Sequence, residues 1–206
     1  MNSTDYRFQV ESYCEKPFLS IVTRCMENKR PMGLYKNNKS IEDQVAKNFE
    51  QIFIIDPKGY GMLEANKSFA YVSDMIRGEY VHLLDDDDSY TNPDFVALME
   101  CAARKGDYDI IFFKMYIYTG DGDNIYPKPD CWGDIPKIAR IGGSCFIVKT
   151  ELYKKYISEF GVRRCGDFQF LKALWTEPDL KVLWHDEIMC ESKPSHGKAE
   201  LIAKTT

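Results

Sequence analysis

Four consecutive aspartates, Asp85, Asp86, Asp87 and Asp88, follow the apolar run YVHLL at residues 80–84. Carboxylates a few ångströms apart repel one another, so a fold that gathers them supplies a cation or a cationic partner. Oxygen-only sets suit the hard cations Mg2+, Mn2+ and Ca2+. Alternate residues of an extended segment point the same way, which lets Asp85 and Asp87 share one ligand. Acids also answer a helix dipole, a role open to Asp87, Asp88 and Asp94, but a cap needs one carboxylate and here there are four. The EF-hand pattern D-x-[DN]-x-[DN]-G with its later Glu is absent. A further acid, Asp56, ends another apolar run, FEQIFIID at 49–56.

These acids need strands to deliver them. FLSIVT at 18–23 is continuous, apolar and rich in β-branched residues, as buried parallel strands are. FEQIFIID is cut off by Pro57, and DYDIIFFKMYIYTG at 107–120 and IGGSCFIVK at 141–149 add strand character. Between strands, Phe69, Val72, Ser73 and Ile76 fall at i, i+3, i+4 and i+7, which predicts an amphipathic helix over 62–77 ended by Gly78. Pro31 starts a helix at no cost in hydrogen bonds, and Ser40 with Asp43 resembles a capping box for a later one; spacing leaves both open. Asn92 and Pro93 open a helix with Phe95, Leu98, Met99 and Ala102 inward, Thr150 caps one through 160, and Asp167 caps one to about 175. A last strand, KVLWHDEIM, precedes SKPSHGK. Strands alternating with helices predict an α/β sheet, mostly parallel, in which ligands bind beyond the carboxyl ends of the strands.

Composition sets the outer bounds. The 206 residues suit one domain with a real core, and 44% hydrophobic with 29% charged residues exclude disorder and fibrous architectures. A net charge of −5 argues against nucleic acid as a partner. No run nears the roughly 18 apolar residues of a membrane span and no signal-peptide pattern opens the chain, so the expected location is cytoplasmic, any membrane-linked acceptor being reached by peripheral contact. The seven cysteines are scattered without zinc-ligand spacing and read as reduced thiols. His82, inside a strand, and His185, just after one, read as packed structural residues.

Several segments together resemble the family 2 glycosyltransferases of the GT-A fold, from Pro17 to about Pro93 and again from Gly142 to Lys198. RGEYVHLLDDDDSY is similar to the family's K-G-E-Y-I-x-F-L-D-x-D-D stretch, EANKSF to its A-R-N-x-G segment, and FEQIFIIDPKG to the strand ending in a base-binding aspartate. The resemblance implies a nucleotide-binding half over 17–93 and an acceptor and catalytic half over 107–198. It implies Thr23, Arg24, Asp56, Lys58 and Asn66 at the nucleotide, Asp85 or Asp86 at the ribose, and Asp87 on a Mn2+ or Mg2+ ion. His196 falls where some relatives use a C-terminal histidine as an extra metal ligand.

The reaction so implied moves a sugar from a nucleotide-diphosphate donor, a UDP-sugar in preference, to a carbohydrate or glycolipid hydroxyl with inversion. Such a transfer needs a base for the acceptor's proton. RRCGDFQFLKALW resembles the segment that carries it, with Asp167 as the base and Gly166 where the family has a first acid. Asp167 is also a good helix cap whatever else it does. Lys193 and Lys198 are candidates for phosphate, and Trp132 for stacking on a sugar. The competing readings are a non-catalytic nucleotide or sugar binder, suggested by Gly166, and a cation-stabilised interaction domain. A nucleotidyltransferase ranks lower, because TRCMENKRPMG carries its only glycine late.

Overall fold

In the computed structural model, which describes residues 6–27, 29–118 and 123–193, the apolar runs become the middle of one sheet. The strands are β1 (Arg7–Ser12), β2 (Leu19–Met26), β3 (Phe49–Asp56), β4 (Tyr80–Leu83), β5 (Asp88–Tyr90), β6 (Ile110–Tyr118), β7 (Asp123–Tyr126), β8 (Phe146–Lys149) and β9 (Val182–Ser192). They pair in the order β1-β3-β2-β4-β8-β6-β9-β5, with β7 on β6. The helices flanking the sheet are α1 (Pro31–Glu42), α2 (Met62–Tyr71), α3 (Phe95–Gly106), α4 (Thr150–Tyr156) and α5 (Gly166–Leu174).

The parallel character expected from the sequence is confined to β3-β2-β4 and to β6 with β9. The other pairs are antiparallel, so the sheet is mixed. β8 enters antiparallel between β4 and β6, which places the 143–145 turn beside the end of β4. β1 went unread because its RFQVES is almost wholly solvent-facing on an edge strand.

Helix starts depend on long-range partners as much as on local signals. α1 begins at Pro31, and Ser40 lies inside it, where its hydroxyl donates to Asn37 O (2.8 Å) and accepts from Tyr90 N (3.1 Å). Asn92 Oδ1 accepts from Asp94 N (2.9 Å), but α3 opens later than expected, with Asp94 rather than Asn92 at its N-cap and Pro93 ahead of it. Val96 N donates instead to Gln44 Oε1 (3.1 Å), a side chain near the end of α1. The helix predicted over 62–77 stops at Tyr71 and continues as a 3₁₀ turn over Ser73–Met75. The helix expected through 160 stops at Tyr156 and runs on as a 3₁₀ turn over Ile157–Gly161.

Beneath the acidic turn lies a buried aromatic cluster. His82, Tyr90 and Phe95 stack at 4.2–5.5 Å between ring centroids, and Phe113 meets His82 and Phe95 edge-on at 5.4 and 5.1 Å. His82 Nδ1 pairs with Tyr90 OH at 2.8 Å, and full burial pushes its pKa down to about 3, so the ring is neutral and structural. This cluster gives the loop between β4 and β5 a rigid floor.

Candidate functional site

The acidic turn is clamped from below by one side chain. Asn37 of α1, fully buried, donates its amide to both Asp85 O and Asp88 O (3.0 Å each), while its oxygen accepts from Gln51 Nε2 (3.2 Å). Asp88 N closes the turn on Asp85 O (2.9 Å). Helix and turn are in such close contact that a Cβ on Gly33 would lie 2.8 Å from Asp86 O. Asn37→Ala removes both donations, leaving Asp85 O with Asp88 N as its donor and Asp88 O without the buried amide, at about 2 kcal/mol. The expected result is a melting temperature lower by about 4–8 °C for a domain of this size, and an unchanged midpoint would show that the clamp contributes nothing.

Two arginines stand among the first three of the four acids, and the fourth is buried against hydroxyls. Arg24 Nη2 stands 3.1 Å from Asp85 Oδ1 and 3.3 Å from Oδ2. The shorter approach lacks hydrogen-bond geometry, and Oδ1 is left buried without a hydrogen bond. Arg30 Nη1 lies 2.8 Å from Asp86 Oδ1 and 3.1 Å from Asp87 Oδ2. Asp88 takes the other route. Wholly buried, and close to Asp85 and Asp87, its carboxyl is driven well above the usual range, while the hydroxyls of Ser144 (2.5 Å) and Ser192, donating to it, oppose the rise. Burial likewise raises Asp87, and raises Asp86 to about 6 despite Arg30.

Two cavities meet at this turn. The larger, about 370 Å³, is lined by Arg24, Lys29, Arg30, Asp56, Asp85 and Asp86 among others. The smaller, about 220 Å³, is lined by Arg24, Asn66, Asp85, Ser144, Gly166 and Asp167 among others. Arg24, Met62 and Asp85 belong to both. Arg24 is fixed at the joint by Asn66 Oδ1 (2.9 Å) and by the face of Phe69 (4.9 Å). Asp167 sits in the first turn of α5, its Oδ1 accepting from Phe168 N (2.8 Å). Burial raises its pKa to about 6, the Phe168 N–H opposing and the charge of Asp85 adding to the rise.

The structure thus brings together Arg24, Asp56, Asp85 and Asp86 in one cavity and Asn66, Asp85 and Asp167 in the other. Asp56 reaches its cavity already engaged, both carboxylate oxygens accepting backbone N–H groups of Lys58, Gly59 and Tyr60 (2.7–3.0 Å). Thr23 is fully buried, its hydroxyl accepting from Gln51 (3.0 Å), and Lys58 is exposed with Nζ 5.7 Å from the Tyr60 ring. Neither lines a cavity at the turn. Trp132 packs on Trp184 (5.0 Å) under Lys114 (5.1 Å), away from both cavities. Lys193 Nζ pairs with Glu191 (2.6 Å), while its backbone N–H donates to Asp87 O (3.2 Å). His196 and Lys198 lie outside the described residues.

Sequence reading missed Lys29, Arg30 and Ser144. The signal for the first two was a basic pair directly before Pro31, at the start of a helix; Ser144 carried none. Whether the turn fits a divalent ion depends on Arg30. Two carboxylate oxygens from different residues converge on one cationic nitrogen, which is the place a metal ion would take. Among the described residues no group of three or more His, Cys, Asp or Glu could hold an ion alone. A divalent ion held here would have those two carboxylates from the protein and would need phosphate and water to complete its shell.

No protein-family model matches the chain, and no curated protein matches it in sequence. Solved structures do. The chain is similar to S. aureus TarS with a TM-score of 0.67 and 13% identity, over 86% of this chain and 37% of that one. Against TarS 1-349 in complex with UDP the TM-score is 0.62 at 13% identity, over 84% and 60%. Against TarS 1-349 in complex with UDP-GlcNAc it is 0.61 at 12% identity, over 87% and 59%. The chain spans between about a third and three fifths of the length of these proteins. At such identities the likeness concerns the fold alone: one α/β domain with a curled mixed sheet flanked by helices. Among the described residues no helix is long and apolar enough to cross a membrane.

Proposed function

We propose that the chain transfers a sugar from a nucleoside-diphosphate donor, a UDP-sugar in preference, to the hydroxyl of a carbohydrate or glycolipid acceptor, with inversion at the anomeric carbon. One observation carries the reading: the two cavities share Arg24, Met62 and Asp85. A donor laid across that joint has its base toward Asp56 and its sugar toward Asp167. The complexes of TarS with UDP and UDP-GlcNAc support this ligand class.

In this pose each side chain has a task that its surroundings favour. Asp167, half-buried and poised near neutrality, accepts the proton of the acceptor hydroxyl as its oxygen attacks the anomeric carbon. Asn66 orients Arg24, whose guanidinium faces the diphosphate from the joint. Lys29 and Arg30 line the same cavity and offset the charge that grows on the leaving group. Asp87, with Asp86 beside it, would hold a Mn2+ or Mg2+ ion, which leaves Asp85, of the two ribose candidates, for the ribose. When bound, such an ion neutralises developing negative charge on the departing diphosphate.

The test is a thermal-shift panel of UDP- and GDP-sugars with and without MnCl2. A donor at ~100 times its dissociation constant adds about 2.7 kcal/mol, so a shift of about 5–10 °C is expected for a chain of this size. If no nucleotide or nucleotide sugar moves the midpoint in either condition, the donor reading fails.

A further inference from the structure

The two arginines of the acidic turn are held in different ways. Arg24 is fixed on three sides, by Asp85, by Asn66 and by the Phe69 ring, and 21% of its side chain is exposed. Arg30 meets Asp86 and Asp87, and 33% of its side chain is exposed, on the wall of the larger cavity. It is also the residue that opens α1, directly before Pro31. Helix N-termini favour anions, and a planar guanidinium matches a phosphate as well as it matches a carboxylate. Arg30 therefore has two sets of partners within reach, one present and one brought by the donor.

We propose that Arg30 is an exchangeable stand-in for a divalent ion, lying between Asp86 and Asp87 in the free protein and passing to the donor's diphosphate when the ion takes those carboxylates. The inference rests on the donor reading above and deepens it. Its consequence is coupling. An ion arriving alone must displace a guanidinium that has nowhere favourable to go. A nucleotide arriving alone must draw Arg30 off two carboxylates left without a counter-charge. Arriving together, each supplies what the other's arrival removes, so each raises the affinity of the other by the same factor.

The experiment is calorimetric titration of chelator-treated protein with MnCl2 alone, with UDP alone, and with UDP in saturating MnCl2, for the parent, Arg30→Met and Arg30→Lys. Removing the competing charge should tighten Mn2+ alone by about tenfold in Arg30→Met. The same change should weaken UDP in the presence of Mn2+ by at least about tenfold, because a guanidinium–phosphate contact is lost. Arg30→Met also leaves the nearly buried Asp86 without a partner. Mn2+ should therefore raise the melting temperature of Arg30→Met more than that of the parent, which a purely structural arginine would not produce. Arg30→Lys keeps the charge and secures a folded comparison; it should bind Mn2+ like the parent and UDP more weakly, lacking the fork. Equal Mn2+ affinity in the parent and Arg30→Met, or unchanged UDP affinity in both variants, overturns the exchange. Should the parent bind neither UDP nor GDP, the donor reading falls, and the Mn2+ arm alone still decides whether Arg30 stands where an ion would.

Discussion

Asp167→Asn should lower the rate of sugar transfer by about a thousandfold while leaving the affinity for donor and ion within about twofold of the parent. The magnitude is that of removing a positioned general base. The clean separation follows from local structure. Asn keeps an oxygen where Asp167 Oδ1 accepts the Phe168 N–H, so the start of α5 is undisturbed and only the ability to take a proton is lost. Transfer by the parent should in addition show an acidic limb near pH 6. A base works ionised; burial raises this carboxyl to about 6, so the rate is full above that pH and falls as pH drops through it. Asp167→Glu, which keeps a carboxylate one methylene further out, should retain part of the rate and the limb. Undiminished transfer by Asp167→Asn would reduce Asp167 to a helix-opening residue.

What the sequence made legible, and what it hid, divides along physical lines. Strand ends were readable because buried runs such as FEQIFIID stop sharply at an acid and a proline, and those ends deliver Asp56 and Asp85 to the cavity as expected. The acidic quartet was visible, but its electrostatic solution was not. Four like charges demand compensation, and a bound ion is only one way to supply it. Arg24 and Arg30 supply it from 61 and 56 residues away, and Asp88 is buried out of reach of both, with the Ser144 hydroxyl donating to it from 56 residues away. Partners separated by that much chain leave no periodicity to detect. The same reason hides Asn37, an ordinary polar residue in a helix until the fold sets it beneath the turn. Thr23 shows the converse, since a strand end offers alternate side chains to opposite faces and this hydroxyl faces inward to Gln51.

Gly166 is where sequence likeness asks for an acid and packing refuses one. A Cβ at this position would lie 2.3 Å from Phe160 O, 2.5 Å from Phe160 Cδ1 and 2.9 Å from Asn66 Nδ2. The first of these is backbone, which cannot rotate away, so even alanine forces α5 off the 3₁₀ turn that ends at Gly161. Gly166→Glu should therefore not restore a missing catalytic group. It should cost about 3 kcal/mol of stability, the upper part of the usual range for overpacking, and lower the melting temperature by about 6–12 °C. Displacing Asn66 also disturbs the oxygen that holds Arg24, so Gly166→Ala, milder in stability, should still weaken UDP binding. Gly143, which lines the same cavity, gives the control. A Cβ there meets only Phe160 Cζ at an ordinary 3.8 Å, and Gly143→Ala should melt within about 2 °C of the parent. A Gly166→Glu protein as stable as the parent, with faster transfer, would mean that α5 has room to shift and that the glycine marks a lost acid. The contact with Phe160 O predicts the opposite: there is no space for a first acid at this position, and the proposed base stays the carboxylate one residue further on.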